Sequence, residues 1–281
     1  MSAASGVRRL SALVAVAAGA LACALVSTGA SNLRLRAVGT PAVHSRGLIP
    51  ASPEQILPLQ RRTVQSTNWS GYAVTSKTHM ITAVSGTFVV PKAGSVPFRY
   101  AATWAGIGGY FRTSSDLIQA GTAENSSTGG ASGRHYYAWY ELLPKSEQQL
   151  HNCSGDPRCR VKPGDHIAID IRNLGGTAWT ISVRNVARWS WHRQVNYNST
   201  RTSAEWILEA PDINGAQTTL APVGTVHFGP ASKFNYASRS RTIAQGKPVK
   251  IVLTGDAKPS ALARNGQSFN DCAYASSCPA P

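Results

Sequence analysis

From Asn68 onward the chain consists of short runs of Val, Ile, Thr, Trp and Tyr, separated by Gly, Pro and Asn at strand-length intervals. Alternation of apolar and polar residues, the pattern of a half-buried strand, is clearest at residues 167–171, 179–183 and 248–253. Helical periodicity is scarce. About 190 residues of this kind exceed what a small barrel needs, so the sequence predicts an all-β fold, a two-sheet antiparallel β-sandwich.

The first 30 residues have the composition of a secretory signal peptide. Arg8 and Arg9 precede an apolar run at residues 10–26, and small residues follow at 27–30. The run is shorter than the roughly 20 residues that span a bilayer. We therefore predict a secreted, extracellular protein with no membrane attachment after signal removal.

The remaining chain divides by composition into three parts. Residues 31–66 contain scattered arginines and prolines, which predicts a pro-segment or linker. The β-rich domain is predicted to cover residues 67–257. Residues 258–281 are rich in Pro, Ser, Ala and Asn, and we expect an irregular C-terminal extension there.

Four cysteines remain after removal of the signal: Cys153, Cys159, Cys272 and Cys278. An even set in an exported chain indicates two disulfides, for which three pairings are possible. We favour Cys153 with Cys159 and Cys272 with Cys278, because each pair is close in sequence and flanked by turn-forming residues. The spacings do not match common zinc sites, and we expect neither a metal nor a cofactor.

The chain carries a net charge of +15, from 28 Lys and Arg against 13 Asp and Glu. The basic residues are dispersed, so we do not predict nucleic acid binding. Because acid denaturation works largely by protonating paired carboxylates, a chain with few carboxylates is expected to tolerate acid. Weak attachment to anionic cell-wall polymers is a second consequence that the charge leaves open.

Two segments combine polar and apolar residues in a way that suggests a catalytic site for hydrolysis. They are LIQAG at residues 117–121 and AEWILE at 204–209. Each places an amide or a carboxylate in a strand-like run. A third run, at residues 135–143, puts Tyr137, Trp139 and Glu141 on one face, because side chains alternate across a strand. Carboxylates among aromatics favour a concave, water-accessible sheet face over a fully buried one.

Several ordered segments together resemble the glutamic peptidases, or eqolisins, a family of secreted acid endopeptidases. The matching segments are NWSGY at 68–72, VSGTF at 84–88, WAGIGG at 104–109, LIQAG at 117–121, YAWYE at 137–141, Gly164 with Asp165, AEWILE at 204–209 and GTVHF at 224–228. The basic composition and the cysteine pattern are closer to bacterial-type members than to fungal ones.

The resemblance implies a legume-lectin-like (concanavalin-like) sandwich with Gln119 and Glu205 as the catalytic pair. Glu205 would activate a water molecule, and Gln119 would stabilise the oxyanion of the attacked peptide. The resemblance also implies that Trp69, Trp139 and Glu141 line the substrate cleft. We expect a monomer that acts on proteins or peptides at acid pH.

The sequence departs from the fungal pattern near this pair. Ala123 and Tyr137 stand where fungal members carry aspartates, and Glu124 is a candidate to replace one of them. Two other functions remain open from the residues alone. One is a β-sandwich glycoside hydrolase with Glu141 and Glu205 as its paired carboxyl groups. The other is a non-catalytic carbohydrate- or cell-wall-binding module.

Overall fold

The computed structural model describes residues 62–111, 116–126, 135–213 and 215–281. The predicted signal peptide and nearly all of the predicted pro-segment lie outside these ranges. Within them the chain is almost entirely β-structure, as predicted, with one short 3-10 helix at Ala244–Gly246. None of the helical structure in the described part is long and apolar enough to cross a membrane.

The strands of the described ranges are numbered here in chain order. They are β1 (Thr63–Ser66), β2 (Trp69–Thr75), β3 (Ile81–Val89), β4 (Ala102–Gly108), β5 (Leu117–Asn125), β6 (His135–Leu142), β7 (Gln148–Gln149), β8 (His166–Gly175), β9 (Ala178–Asn185), β10 (Trp189–Asn196), β11 (Ser203–Glu209), β12 (Asp212–Ile213), β13 (Ala216–Gln217), β14 (Thr225–Phe228), β15 (Lys233–Tyr236), β16 (Arg239–Thr242), β17 (Val249–Leu253), β18 (Ala257–Pro259) and β19 (Phe269–Ala273).

Two sheets are built from these strands. The front sheet has the order β1–β17–β2–β11–β4–β5–β6–β7, in which only β1 and β17 are parallel neighbours. The back sheet has the order β10–β9–β8–β3–β15–β16 and is antiparallel throughout. Strands β14, β19 and β18 continue from β3 to β17 and so connect the two sheets.

The sheets pack face to face around one hydrophobic core, which makes the fold a sandwich. Trp206 on β11 extends across it, and its indole N–H donates to the backbone oxygen of Ser85 on β3 at 2.8 Å. Every residue of β5 and β11 is buried. Strands covered on both faces have near-continuous apolar sequences, which explains why neither segment shows clean alternation.

The two disulfides have the pairing that the sequence favoured, Cys153 with Cys159 and Cys272 with Cys278. The C-terminal part is more regular than predicted, because residues 258–281 include most of β18 and all of β19. Its anchor is Phe269, which stacks on Phe228 of β14 with ring centroids 4.4 Å apart. Burial of this aromatic pair holds β19 in the fold although its FNDCA sequence has weak strand propensity.

Candidate active site

Gln119 and Glu205 lie in one row of residues that crosses the front sheet. Glu205 on β11 is opposite Gly106 on β4, and Gly106 is in turn opposite Gln119 on β5. Directly opposed residues point to the same face of a sheet, so both side chains project from the outer face of the front sheet. Their Cα atoms are two strand spacings apart, or ~10 Å.

Gly106 separates the two polar side chains and has no side chain of its own. A Cβ atom at this position would lie 3.0 Å from the Cβ of Gln119, 3.0 Å from the backbone oxygen of Ile118 and 3.1 Å from Cδ1 of Leu117. These distances are shorter than ordinary van der Waals contact. A glycine in the middle of the row therefore permits its neighbours on β5 to pack closely against the backbone of β4.

Glu141 extends the same row and orients the amide of Gln119. It is opposite Gln119 on β6, and the Gln119 Nε2 atom donates to its Oε2 atom at 2.7 Å. Because an ionised carboxylate only accepts hydrogen bonds, this contact fixes which end of the amide faces β6. The amide nitrogen has a second N–H group, which is left for a ligand.

Complete burial dominates the electrostatics of Glu205. Burial raises its pKa well above the usual range, the neighbouring hydroxyl of Ser203 partly offsets this, and the negative charge of Asp116 adds to it. Neither carboxylate oxygen makes a hydrogen bond of good geometry within the described part of the chain. Glu205 is thus a buried acid whose neutral form is favoured and which makes no well-formed hydrogen bond with the described residues, and perturbed acids of this kind are frequent at reactive sites.

Three tryptophans flank this row, on the same face. Trp139 on β6 and Trp104 on β4 are both opposite Gly121 on β5, which has no side chain to separate them. Trp69 meets Trp104 edge to face, with ring centroids 4.9 Å apart. The indole N–H of Trp69 is buried without a hydrogen-bond partner among the described residues, so it is available to a ligand carbonyl.

Glu209 belongs to this face as well, at the end of β11. It is fully buried, and the indole N–H of Trp104 donates to its Oε2 atom at 2.7 Å. The side-chain amide of Asn68 donates to its Oε1 atom at 3.2 Å. The sequence spacing indicates this position, because Glu205, Ile207 and Glu209 alternate onto one face.

The two departures from the fungal pattern are neighbours in the structure. Ala123 is directly opposite Tyr137, and the Tyr137 hydroxyl donates to Glu147 Oε1 at 2.6 Å. Glu124 does not replace either aspartate, because it points to the opposite face of β5, where Thr103 donates to it at 3.1 Å. Ala123 and Tyr137 thus fill this space with a small side chain beside a large one, and neither of them is a carboxylate.

This face was expected to be accessible to water, whereas its described side chains are buried. Gln119, Glu141 and Glu205 are fully buried, as are Trp69 and Trp139. The apolar residues of the face form a second hydrophobic cluster, against which Val64 and Tyr110 pack. Burial and the charge of Glu205 together raise the pKa of Tyr110. Apolar packing over these rows is the physical reason for the difference.

The donor set suits general acid–base chemistry better than metal binding. The described residues contain no group of three or more His, Cys, Asp or Glu side chains that is arranged to hold a metal ion. The row offers the carboxyl group of Glu205, which has no well-formed hydrogen bond among the described residues, and the oriented amide of Gln119. Gly106 lies between them.

Comparison with solved structures supports the sandwich architecture. Scytalido-glutamic peptidase with a peptide-based transition state analogue aligns with a TM-score of 0.59 at 18% identity, over 74% of this chain and 98% of that one. SCP-B, an eqolisin in complex with the tripeptide Ala-Ile-His, aligns at 0.55 and 17%, with the same coverage. Aspergilloglutamic peptidase from Aspergillus niger aligns at 0.51 and 20%, over 62% and 99%.

Sequence comparison identifies the family directly. No curated protein sequence matches the chain significantly. The model of the Peptidase A4 family, however, matches residues 67–272, which is most of the chain and includes all four strands of the row described above. This chain is therefore a member of the Peptidase A4, or eqolisin, family and is a peptide hydrolase.

Proposed function

We propose that this protein is a secreted glutamic endopeptidase in which Glu205 is the general base and Gln119 the oxyanion donor. The observation that carries the proposal is the shared row, in which Gly106 separates the two side chains on one face. A substrate carbonyl over Gly106 would have the amide on one side and the carboxyl group on the other.

In the proposed reaction the Glu205 carboxylate takes a proton from a water molecule as that water attacks the peptide carbonyl. Negative charge develops on the carbonyl oxygen, which accepts a hydrogen bond from the free N–H of Gln119. Glu205 then returns the proton to the leaving amine, and the C–N bond breaks. The products are a carboxylic acid and an amine, with no covalent enzyme intermediate.

Glu141 is proposed to be a positioning residue in this scheme. Its hydrogen bond holds one N–H of the Gln119 amide on β6 and fixes the orientation of the amide, which leaves the second N–H of the same nitrogen for the substrate and limits reorganisation of the donor during the reaction. We propose that Trp69 and Trp139 form the walls of the substrate cleft, where the buried indole N–H of Trp69 is suited to a peptide carbonyl.

Burial raises the pKa of Glu205 and so disfavours the carboxylate that a general base requires, and the face must open to admit both water and substrate. We propose that removal of an N-terminal pro-segment triggers this opening and that the mature enzyme works at acid pH.

Hydrolysis of glycosides by a pair of Glu141 and Glu205 is disfavoured. Such enzymes need carboxyl groups about 5 to 9.5 Å apart with a sugar between them. Here Gln119 stands between the two acids, and its amide occupies an oxygen of Glu141. The row therefore presents one available carboxyl group to a substrate, whereas glycoside hydrolysis needs two.

Casein hydrolysis at acid pH by processed protein provides the test. We expect Glu205→Gln to lower kcat by about 10³-fold or more, and Gln119→Ala by about 10² to 10³-fold. The matched control is Glu124→Gln, which makes the same chemical change at a buried acid on the opposite face. Retention of a tenth or more of the activity by Glu205→Gln would exclude the proposed base.

A further inference from the structure

A polar groove lies at the open edge of the sandwich, away from the catalytic face. Its cavity has a volume of about 670 Å³ and lies between β7 with its following loop on one side and β10 on the other. Tyr140 forms its floor. Tyr140 and Glu141 are adjacent on β6 and point to opposite faces, so the groove opens on the side of the sheet that the catalytic row does not use.

Two aromatic rings and a cation form the centre of this groove. Tyr140 and Trp191 are stacked, with ring centroids 5.2 Å apart, and Trp191 is half-buried along the groove wall. The Arg193 guanidinium lies 5.7 Å from the Tyr140 ring centroid and donates to the Tyr140 hydroxyl at 2.7 Å. Exposed amide side chains complete the surface, at Gln149 and Asn152.

The charge of the groove is one-sided. The cavity lining contains Arg193, His151 and His192, and no Asp or Glu among the residues that the structure describes there. Arg193 is exposed and makes no ion pair with a described residue. A second cavity of about 240 Å³ shares Tyr140, Gln148 and Arg193 with the first, and its lining adds Lys145 and the buried Glu141. At the exposed surface, Lys145 thus provides a second cation beyond Arg193.

The backbone of the groove is held in place before any ligand binds. The disulfide between Cys153 and Cys159 closes the loop after β7. Ser154 in that loop exchanges two backbone hydrogen bonds with Ser190 on β10, at 2.9 and 3.0 Å. A preorganised wall lowers the entropy cost of binding. The same bonds occupy this part of the β10 edge, so an extended peptide cannot pair there as an added strand.

We propose that this groove binds an acidic polysaccharide, with a sugar ring against Trp191 and its carboxylate on Arg193. The apolar face of a sugar ring suits an aromatic side chain, while its hydroxyl groups suit amides that both donate and accept. Arg recognises a carboxylate through paired N–H groups. The site is separate from the catalytic row and does not depend on the function proposed for it.

The test measures binding of the full-length chain to polygalacturonate by calorimetry, with dextran as a neutral polymer and poly-glutamate as an acidic peptide. We expect binding to polygalacturonate alone, weakened roughly tenfold by Arg193→Gln. Gln149→Ala and Trp191→Ala should also weaken it. Gln149→Ala changes an exposed side chain, so it remains informative if Trp191→Ala fails to fold.

The matched control is Arg239→Gln, which removes the same charge at an exposed position on β16, the opposite edge of the back sheet. This variant should bind as the unaltered chain does. An equal loss in both arginine variants would mean attraction by net charge alone and would overturn the proposed site. Equal affinity for poly-glutamate would overturn the sugar assignment, and absence of binding to polygalacturonate would overturn the proposal as a whole.

Discussion

At the residue scale, the contact between Gln119 and Glu141 controls the donor of the proposed oxyanion site. Glu141→Ala removes the acceptor of a 2.7 Å hydrogen bond and frees the amide to rotate. A hydrogen bond to a charged group contributes about 1.5 to 3 kcal/mol, so we expect kcat to fall by roughly 10- to 100-fold. Steady-state kinetics on a peptide substrate measures the change.

The conservative variant distinguishes positioning from a structural role. Glu141→Gln keeps an oxygen that accepts from Gln119, so it should recover most of the activity that Glu141→Ala loses. KM should change little in either variant, because the donor acts mainly on the developing charge. A rise in KM with unchanged kcat would show instead that Glu141 contacts the substrate.

Single residues of the site differ in how well the sequence predicts them. Alternation along residues 135–143 correctly put Tyr137, Trp139 and Glu141 on one face and Tyr140 on the other. The same rule puts Glu209 on the face of Glu205, while its burial beside Trp104 and Asn68 depends on how the strands are arranged. Burial of the whole row was not predictable, because it depends on packing between segments far apart in sequence.

At the scale of the strand, Gly106 on β4 separates the two proposed catalytic side chains. Gly106→Ala would place a methyl group 3.0 Å from the Gln119 Cβ atom and 3.0 Å from the Ile118 oxygen, in the space between the proposed catalytic side chains. We expect activity to fall at least tenfold, with a loss of stability of about 1 to 3 kcal/mol from overpacking. Kinetics and thermal unfolding report the two effects separately.

Gly229→Ala is the control for the stability effect, since it crowds the Thr87 hydroxyl at the end of β14, away from the row. This variant should lose stability but keep its activity per folded molecule. If Gly106→Ala proved fully active, the gap between Gln119 and Glu205 would not be where the substrate carbonyl binds.

Strand β1 limits where the predicted pro-segment can end. Thr63–Ser66 pairs with β17, and the Ser66 hydroxyl accepts from the backbone N–H of Trp69 at 3.0 Å. A mature chain that starts at Arg62 should therefore be more stable than one that starts at Asn68, because the latter loses a paired strand beside Trp69. Thermal unfolding of the two truncated chains tests this, and equal melting temperatures would contradict it.

The strands themselves were largely predictable, while the arrangement of the sheets was not. Clean alternation at 167–171 and 179–183 predicted β8 and β9 from local sequence. β19 escaped prediction because its stability comes from Phe269 packing on Phe228, a contact distant in sequence. The order of the strands in a sheet depends on such long-range contacts. The family resemblance implied the kind of sandwich but not this order.

At the scale of the whole molecule, buried acids link stability to pH. Burial raises the pKa of Asp271 to about 8, against smaller opposing effects of Ser70, which donates to it at 2.6 Å, and of Lys250. Glu205 is raised by burial as well. An acid whose pKa is higher in the folded state stabilises the fold fully below its unfolded pKa, and this contribution is lost as pH rises through the folded value.

We therefore expect the unfolding free energy to decrease as pH rises from about 4 to 8, on the order of a few kcal/mol in total, since one pKa unit corresponds to about 1.4 kcal/mol. Asp271→Asn should flatten this dependence, because an amide still accepts from Ser70 and does not ionise.

Asp170→Asn, at a half-exposed acid paired with Arg172, makes the same chemical change and should leave the slope unaltered. Urea unfolding at a series of pH values measures the slope, and an unchanged slope in Asp271→Asn would place the pH dependence elsewhere. Because a fold that is most stable at low pH suits an enzyme that works there, the same series bears on the proposed acid activity independently of the catalytic residues.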